Sequence, residues 1–354
     1  QEEITPLCAC GSIEEPYDML RPHAVRFRVS SDITEISFED AIRGPITFKR
    51  DQLHDFIIVR RDGVPIYNFV VVLDDIFMRI THVIRGEDHI SNTPKQILIY
   101  LALEAKIPVF VHLPLILGSS GQRLSKRDAA VSVEEYRNQG FLAEALFNYL
   151  VRLGWAHGDQ EVFSKKELVE FFSLEAISKK GAIFDLKKLL WLNKVYLQNA
   201  SVQQLEEAII NLDSQKAIDL KKLWSEELCN RLLLLYAQKA ATLLEVIVGP
   251  LELAHDPQEL DLSLIAKWRT DITHKLISAF IEAIQKNNDF THEKIMSIGK
   301  DIVAQHNTLL VNLAQPLRLG IVGGIVSPSI FELMEILGKE TVVRRLMHLL
   351  KSFK

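Results

Sequence analysis

Hydrophobic and polar positions divide the chain into two textures. Up to about Val131, short β-prone runs alternate with turns and short helices; beyond it the pattern is almost wholly helical. Residues 24–29 alternate with a period of two, as a half-buried strand does. Residues 56–60 form a second β-prone run that leads into Asp62-Gly63, a strong turn dipeptide. The apolar run 67–78 fits either a buried strand or a helix. With its flanks it predicts a helix entering a strand at 80–85.

The clearest unit follows. Residues 81–85 form a short β-branched strand. Thr93-Pro94-Lys95-Gln96 has the form of a capping box, with Thr93 at the N-cap, Pro94 at the first helical position and Gln96 at the third. A helix is predicted from there to about Ala105, and residues 109–117 supply another apolar strand. Strand, helix and strand at this spacing make a crossover, so the two strands should be parallel. Ligands of such sheets bind beyond the carboxyl ends of the strands. Those ends carry Arg85-Gly86-Glu87-Asp88-His89 and the loop 118–127.

Helix signals repeat through the second half. Gly140 and Gly154 sit where helix C-caps are expected. Ser164 with Glu167, and Ser201 with Gln204, fit capping boxes. Ser327-Pro328 opens another helix and Gly338 closes it. The pattern reads as an α/β nucleotide-type domain followed by helical domains, with boundaries near 160 and near 245–255.

Composition narrows the function classes. At 354 residues the chain has room for two or three domains. Hydrophobic residues at 48% and charged residues at 25% exclude wholesale disorder and fibrous structure. Lys plus Arg total 41 against 46 for Asp plus Glu, a net charge of −5. Any nucleic-acid surface must therefore be a local basic face on an acidic body. The three cysteines (Cys8, Cys10 and Cys229) argue against a disulfide framework and for a reducing compartment. No apolar run is long enough for a transmembrane helix. No secretory signal is visible, and the chain begins at Gln1 rather than Met.

Two loops carry candidate chemistry. In 121–127, Arg123, Lys126 and Arg127 place three cations within five residues on a glycine- and serine-rich stem. Such a loop can close over a polyphosphate and stabilise developing charge; the plainer alternative is a solvated basic loop. In 85–89, Arg85 could grip a carboxylate bidentately, and Asp88 could accept from a ribose hydroxyl. The helix starting near Thr93 would offer backbone N–H groups to an anion. The alternative is a surface pair of Arg85 with Glu87 or Asp88, with Tyr67 a packed aromatic. His82, His112 and His157 lack ligand spacing and read as structural. Cys8-x-Cys10 with His23 lacks a fourth zinc ligand, so two chance thiols are favoured over a metal site. No G-x-x-x-x-G-K-[ST] loop is present, nor a Ser/His/Asp or Cys/His arrangement. The residues alone reach an ATP- or anion-binding α/β site with a helical extension, and no substrate.

At these same loops the chain resembles the glutamyl-tRNA synthetases of bacterial type, class I aminoacyl-tRNA ligases. Asp62-Gly63-Val64-Pro65-Ile66-Tyr67-Asn68-Phe69 and Val72-Leu73-Asp74-Asp75 are similar to the family's D-G-x-P-T-Y-x-F and V-V-D-D segment. Residues 83–94, from Val83-Ile84-Arg85-Gly86 to Asn92-Thr93-Pro94, match its glutamate- and ATP-site signature. Arg123-Leu124-Ser125-Lys126-Arg127 resembles the KMSKS loop. Further matches are Ala145 to Leu150 with Leu153-Gly154-Trp155, and Phe184-Asp185 with Lys188 to Asn193. Gln315-Pro316-Leu317-Arg318 and 327–340 complete the series. Several motifs in the right order, over roughly 22–354, make the resemblance specific.

The resemblance implies an α/β then all-α fold: the C-terminal part of a Rossmann-type class I catalytic domain, then helical stem and helical anticodon-binding domains. The implied division is 1–130 for the partial catalytic domain with its connective insertion, 131–250 for the stem-contact and junction domain, and 251–354 for the anticodon-binding domain. It assigns Lys126 and Arg123 as catalytic, and Lys126, Arg123, Asp88 and His89 to ATP. Tyr67 and Arg85 would bind glutamate, with no metal held by protein ligands. The implied activity is ATP-dependent attachment of L-glutamate to tRNA(Glu) through a glutamyl adenylate (EC 6.1.1.17), with ATP and Mg²⁺, in a cytoplasmic monomer without a membrane. Arg344-Arg345 with Lys351 and Lys354 on the last helix form a candidate basic stretch for tRNA, the equal alternative being a solvated helix face.

There are departures. Arg123 stands where the family usually has Lys, keeping charge but not geometry. Ile66 replaces a common Thr. The HIGH motif, H-x-G-H, is absent, so residues 1–354 alone are expected not to activate glutamate. Three rivals follow. A short paralogue that glutamylates a modified tRNA nucleoside lacks the helical tail. Glutaminyl-tRNA synthetase has a β-barrel C-terminal part instead. A non-catalytic tRNA-binding or scaffold protein would have kept the fold without the HIGH motif. A non-discriminating enzyme that also charges tRNA(Gln) is a fourth possibility on the same fold.

Overall fold

In the computed structural model, which describes residues 24–124, 132–257 and 262–353, strands occur only before residue 114 and helices dominate thereafter. Chain contacts divide the molecule into two units. The first takes the chain up to Arg123, with Gly154–Asp159 and Phe171–Ile183; the second takes Leu124–Leu153, Gln160–Glu170 and Phe184–Lys354.

The first unit is built on two small sheets. Strands β1 (Val25–Phe27) and β4 (Phe56–Val59) pair antiparallel. Strands β2 (Glu35–Asp40), β3 (Gly44–Lys49), β5 (His82–Gly86) and β6 (Val109–Leu113) form the second sheet in the order β3-β2-β6-β5. The β2–β3 hairpin turns at Gly44, whose φ of +82° suits glycine. Asp40 organises the same turn by accepting from the Ile42 and Arg43 N–H groups. β5 and β6 run parallel in unbroken register from His82–Val109 to Gly86–Leu113, as the crossover pattern predicts.

Helix α1 (Tyr67–Phe77) and helix α2 (Thr93–Ala102) pack against each other, and α1 also packs against β4. α2 is apolar nearly all round, and Ile97, Leu98, Ile99 and Tyr100 are buried with Val72 and Phe110 in the core. Each such aliphatic side chain contributes about 1.5–3 kcal/mol relative to exposure. Two polar ties fix the pair: Gln96 donates to Asn68 at 3.0 Å and the Tyr100 hydroxyl to Asp75 at 3.1 Å. Burial raises the pKa of both Asp75 and Tyr100.

Several boundaries differ from the sequence pattern. The second crossover strand stops at Leu113 rather than 117, where Leu115 N–H turns to the Glu87 carboxylate. α2 ends at Ala102, three residues early, and Glu104 follows with φ +50°. Thr93 is not an N-cap. A 3₁₀ turn, Glu87–Asn92, runs straight into α2, and the buried Thr93 hydroxyl faces Arg85 and His112 instead. Gln96 points to Asn68 rather than back to the helix start. The expected capping box therefore does not form, because tertiary partners outcompete the local bond.

The second unit is helical, and most of the caps its sequence predicts are formed. Ser201 and Gln204 form a reciprocal box at the helix Val202–Leu212. Ser164 and Glu167 exchange bonds at the helix Lys165–Phe171. Gly140 has φ +84°, and an added Cβ would meet Leu244 N at 2.8 Å, so only glycine fits there. Gly338, at φ +80°, closes the helix Ile330–Leu337. That helix begins two residues later than Ser327-Pro328 suggests, with Ser329 at the cap. Asn193 is fully buried and ties Leu142 N–H to Ala241 C=O at 2.8 and 2.6 Å. A large apolar cluster from Leu232 to Phe353 forms the C-terminal core.

The basic stretch expected on the last helix, Lys339–Ser352, needs correction. Arg345 is only 3% exposed. It donates to the carbonyls of Ile321, Leu253 and His255 and to Asp256, and so faces the core rather than a nucleic acid. Arg344 is exposed but also bound to Asp256. Lys354 lies outside the described residues. No helix among the described residues is long and apolar enough to cross a membrane.

Candidate active site

Arg85 sits near the carboxyl end of β5, in register with His112 on β6, so both side chains leave the sheet on the same face. Its Nε–H donates to His112 Nε2 at 3.1 Å and its Nη2 to the Thr93 hydroxyl at 2.8 Å. The guanidinium carbon lies 5.5 Å from the centroid of the Phe110 ring. Burial disfavours the Arg85 charge and lowers its pKa, and Tyr67 and Asp75 beside it offset part of that cost. The group remains a cation held against an apolar floor.

His112 is itself buried completely. Its Nδ1 lies 2.6 Å from Asp40 Oδ2, and its backbone N–H donates to the same oxygen at 3.1 Å. Asp40 is 1% exposed, yet four donors converge on it, and backbone N–H groups and His112 hold its carboxyl below the usual carboxylate range against the opposing effect of burial. Burial lowers the His112 pKa. An ionised Asp40 beside a neutral imidazole follows.

The turn after β5 carries the remaining residues. Tyr67 opens α1, is 51% exposed, and its ring centroid lies 5.9 Å from that of His89. It is therefore not the packed core aromatic of the plainer alternative. Neither expected Arg85 surface pair forms. Glu87 is bound by Arg43 and by Leu115 N–H, and Asp88 accepts from Arg123 Nη2 at 3.1 Å. Gly86 lies close beneath Asp88: a Cβ on it would meet Asp88 Oδ1 at 2.5 Å, so that carboxylate would have to shift. A short turn positions Arg123, with Gly121 at φ +76°, Gly121 N–H bonded to Gly118 C=O, and a bridge between Leu117 and Arg123. Tyr67, Arg85, Asp88, His89 and Arg123 thus share one end of the parallel strands. Lys126, Cys8, Cys10 and His23 lie outside the described residues. The start of α2 is continued by the 3₁₀ turn rather than open to an anion, since Thr93 N–H already bonds Ile90 C=O.

Sequence reasoning missed Asp40 as part of this site, gave Thr93 and Glu87 other partners than the ones they have, and placed His112 only as structural. A lone histidine inside the apolar run 109–113 was the available signal. Its partner Asp40, 72 positions away, was not foreseeable without the sheet order.

Comparison with known proteins fits this geometry. The family model described as "tRNA synthetases class I (E and Q), catalytic domain" matches residues 12–191, and "Anticodon binding domain" matches 196–350. A protein of Syntrophobacter fumaroxidans named glutamate–tRNA ligase is 42% identical over 327 residues, covering 92% of this chain and 69% of the relative. This chain belongs to the glutamyl-tRNA synthetases of class I. A glutamate–tRNA ligase of Geobacter sulfurreducens is 41% identical, covering 93% of this synthetase chain and 70% of its own length. The crystal structure of a glutamate tRNA ligase from Elizabethkingia meningosepticum, in complex with its amino acid, superposes with a TM-score of 0.79 at 29% identity. It covers 94% of this chain and 69% of that one. The catalytic-domain and helical anticodon-binding architecture expected from the sequence is the family's.

Proposed function

We propose that the protein attaches L-glutamate to tRNA(Glu) at the expense of ATP, through a glutamyl adenylate. The observation that carries this reading is the half-buried Arg85 cation beside Tyr67, at the carboxyl end of two parallel strands. Arg85 and Tyr67 bind the substrate glutamate, with the guanidinium matching a carboxylate. Asp88 accepts from the adenosine ribose, with His89 beside it, and Arg123 and Lys126 meet the triphosphate. The glutamate α-carboxylate attacks the α-phosphorus of ATP and pyrophosphate leaves. The terminal tRNA hydroxyl then attacks the mixed anhydride and releases AMP. Positioning and fixed positive charge drive both steps, without a covalent protein intermediate.

No cluster of three or more metal-ligating side chains occurs among the described residues. Mg²⁺ in this reading arrives with ATP as part of that substrate. The helical residues 196–350 take the anticodon arm, reading shape, phosphates and splayed bases. The protein acts as a cytoplasmic monomer, and the division 1–130, 131–250 and 251–354 corresponds to partial catalytic, stem-contact and anticodon-binding roles.

Glutamate-dependent ATP–pyrophosphate exchange and charging of tRNA(Glu) test this, run on the chain and on the complete reading frame that encodes it. Exchange and glutamyl-tRNA from the complete product are expected, with none from residues 1–354 alone. Binding of tRNA without any glutamyl-tRNA from the complete product overturns the enzyme reading in favour of a scaffold. Exchange by residues 1–354 alone overturns only the expected dependence on the HIGH motif.

A further inference from the structure

Arg85 has five N–H donors, and two along one edge are already placed: Nε–H on His112 and Nη2 on Thr93. That leaves the opposite edge, with Nη1, on the side of the Tyr67 hydroxyl, as the one that can meet a substrate carboxylate together with that hydroxyl. Which edge is left depends on the state of His112, since Nε2 can accept from Arg85 only if it carries no proton. The buried Asp40 carboxylate meets the other ring nitrogen at 2.6 Å and so demands a proton there. We propose that Asp40 and His112 are positioning residues for substrate glutamate: the carboxylate fixes the Nδ1–H form of the imidazole, and Nε2 then holds Arg85 with its free edge toward the substrate.

The inference rests on Arg85 as the glutamate ligand and goes beyond it by naming what aims that ligand. The geometry supports a relay over simple core packing. Asp40 Oδ2 takes both the backbone and ring N–H of His112, which fixes the ring as well as its proton. Thr93 Oγ1 lies 3.2 Å from Nε2 and receives the neighbouring Arg85 nitrogen, so the same two groups grip one guanidinium edge. The Phe110 ring lies 13° from parallel to His112 and supports the Arg85 plane from below. A flipped tautomer would set an N–H against an N–H at 3.1 Å, and Arg85 would have to leave.

Two measurements on the full chain test it. In ¹⁵N spectra of histidine-labelled protein, His112 should show an unprotonated Nε2 and a protonated Nδ1. The opposite tautomer overturns the relay, and this readout requires neither a variant nor catalysis. In glutamate titrations, His112→Leu should weaken glutamate binding at least ~10-fold by removing the acceptor that holds Arg85, while ATP binding changes less than ~2-fold. His112→Gln, whose Oε1 can stand in for Nε2, should recover most of the loss. Equal losses for glutamate and ATP, or no recovery in a His112→Gln protein of unchanged melting temperature, overturn the positioning role. If Arg85→Gln leaves glutamate binding unchanged, the assignment of Arg85 fails instead, and the imidazole spectrum still decides the relay.

Discussion

Two arginines drawn out of water show how differently one residue type is used in the two units. Arg345 in the helical unit is 3% exposed and has placed four N–H groups, on Asp256 and on the carbonyls of Leu253, His255 and Ile321. Arg85 in the α/β unit is half-buried, places two on His112 and Thr93, and turns its remaining edge toward the exposed Tyr67. A cation whose donors are nearly all satisfied is a structural clamp. One held firmly along a single edge keeps donors for something the protein does not supply. Burial alone would have ranked Arg345 the more unusual residue; the count of committed donors ranks Arg85 the functional one.

The largest effect expected from this contrast is on stability. Arg345→Met should cost about 3–5 kcal/mol, because three carbonyls lose a donor at once and Asp256 is left with Arg344. A chemical denaturation curve checks it, and a loss under about 1 kcal/mol would break the structural half of the comparison. Arg85→Gln should do the reverse. Its stability cost should stay under about 2 kcal/mol, since only two hydrogen bonds go, while glutamate binding falls by ~30-fold or more for loss of a charge-assisted carboxylate pair. Titration calorimetry on the same preparation measures the second quantity. A variant that unfolds without losing affinity would place Arg85 with Arg345.

How much of this the sequence discloses follows the same division. Arg85 and Asp88 were legible because strand-to-helix punctuation put them at the carboxyl end of a crossover, and Tyr67 entered through the family resemblance alone. Capping boxes at Ser164 and Ser201 were legible because their partners lie three residues on. Thr93 misled for the same reason: its pattern was local, but its hydroxyl is used by Arg85 and His112 across the sheet. Asp40 and the burial of Arg345 were beyond reach, since their partners lie 72 and 89 residues away along the chain. Long-range polar contacts leave no periodicity to read.

The two clusters should also separate by pH. The His112 pKa is lowered by burial, so below its ordinary value of 6.5 the unfolded chain takes up a proton that the folded one resists. Stability of the β5–β6 region therefore falls as pH drops through 6.5. Asp256 has its pKa lowered by Arg344 and Arg345, so its contribution is complete above 3.8 and declines only as pH falls below that value. Amide exchange followed from pH 7 to 5 should show protection dropping at 82–86 and 109–113 while it holds at 342–349. Parallel losses in both regions would remove the distinction.

The smallest stability effect, and the sharpest test of what an exposed cation does here, belongs to Arg123. Its bond to Asp88 joins side chains 64% and 34% exposed, a setting in which water screens the attraction. Arg123→Ala should therefore change unfolding free energy by less than about 0.5 kcal/mol. It should nonetheless weaken ATP binding, because in the proposed reading Arg123 leaves Asp88 to meet triphosphate, freeing that carboxylate for the ribose. Asp88→Asn separates the two roles. It breaks the ion pair as Arg123→Ala does but keeps a hydrogen-bonding side chain of the same size beside Gly86. If both variants bind ATP as the parent does, the pair is a solvated surface contact and the ATP-site role falls. If Arg123→Ala alone is impaired, the cation acts on the nucleotide directly rather than by holding Asp88 in place.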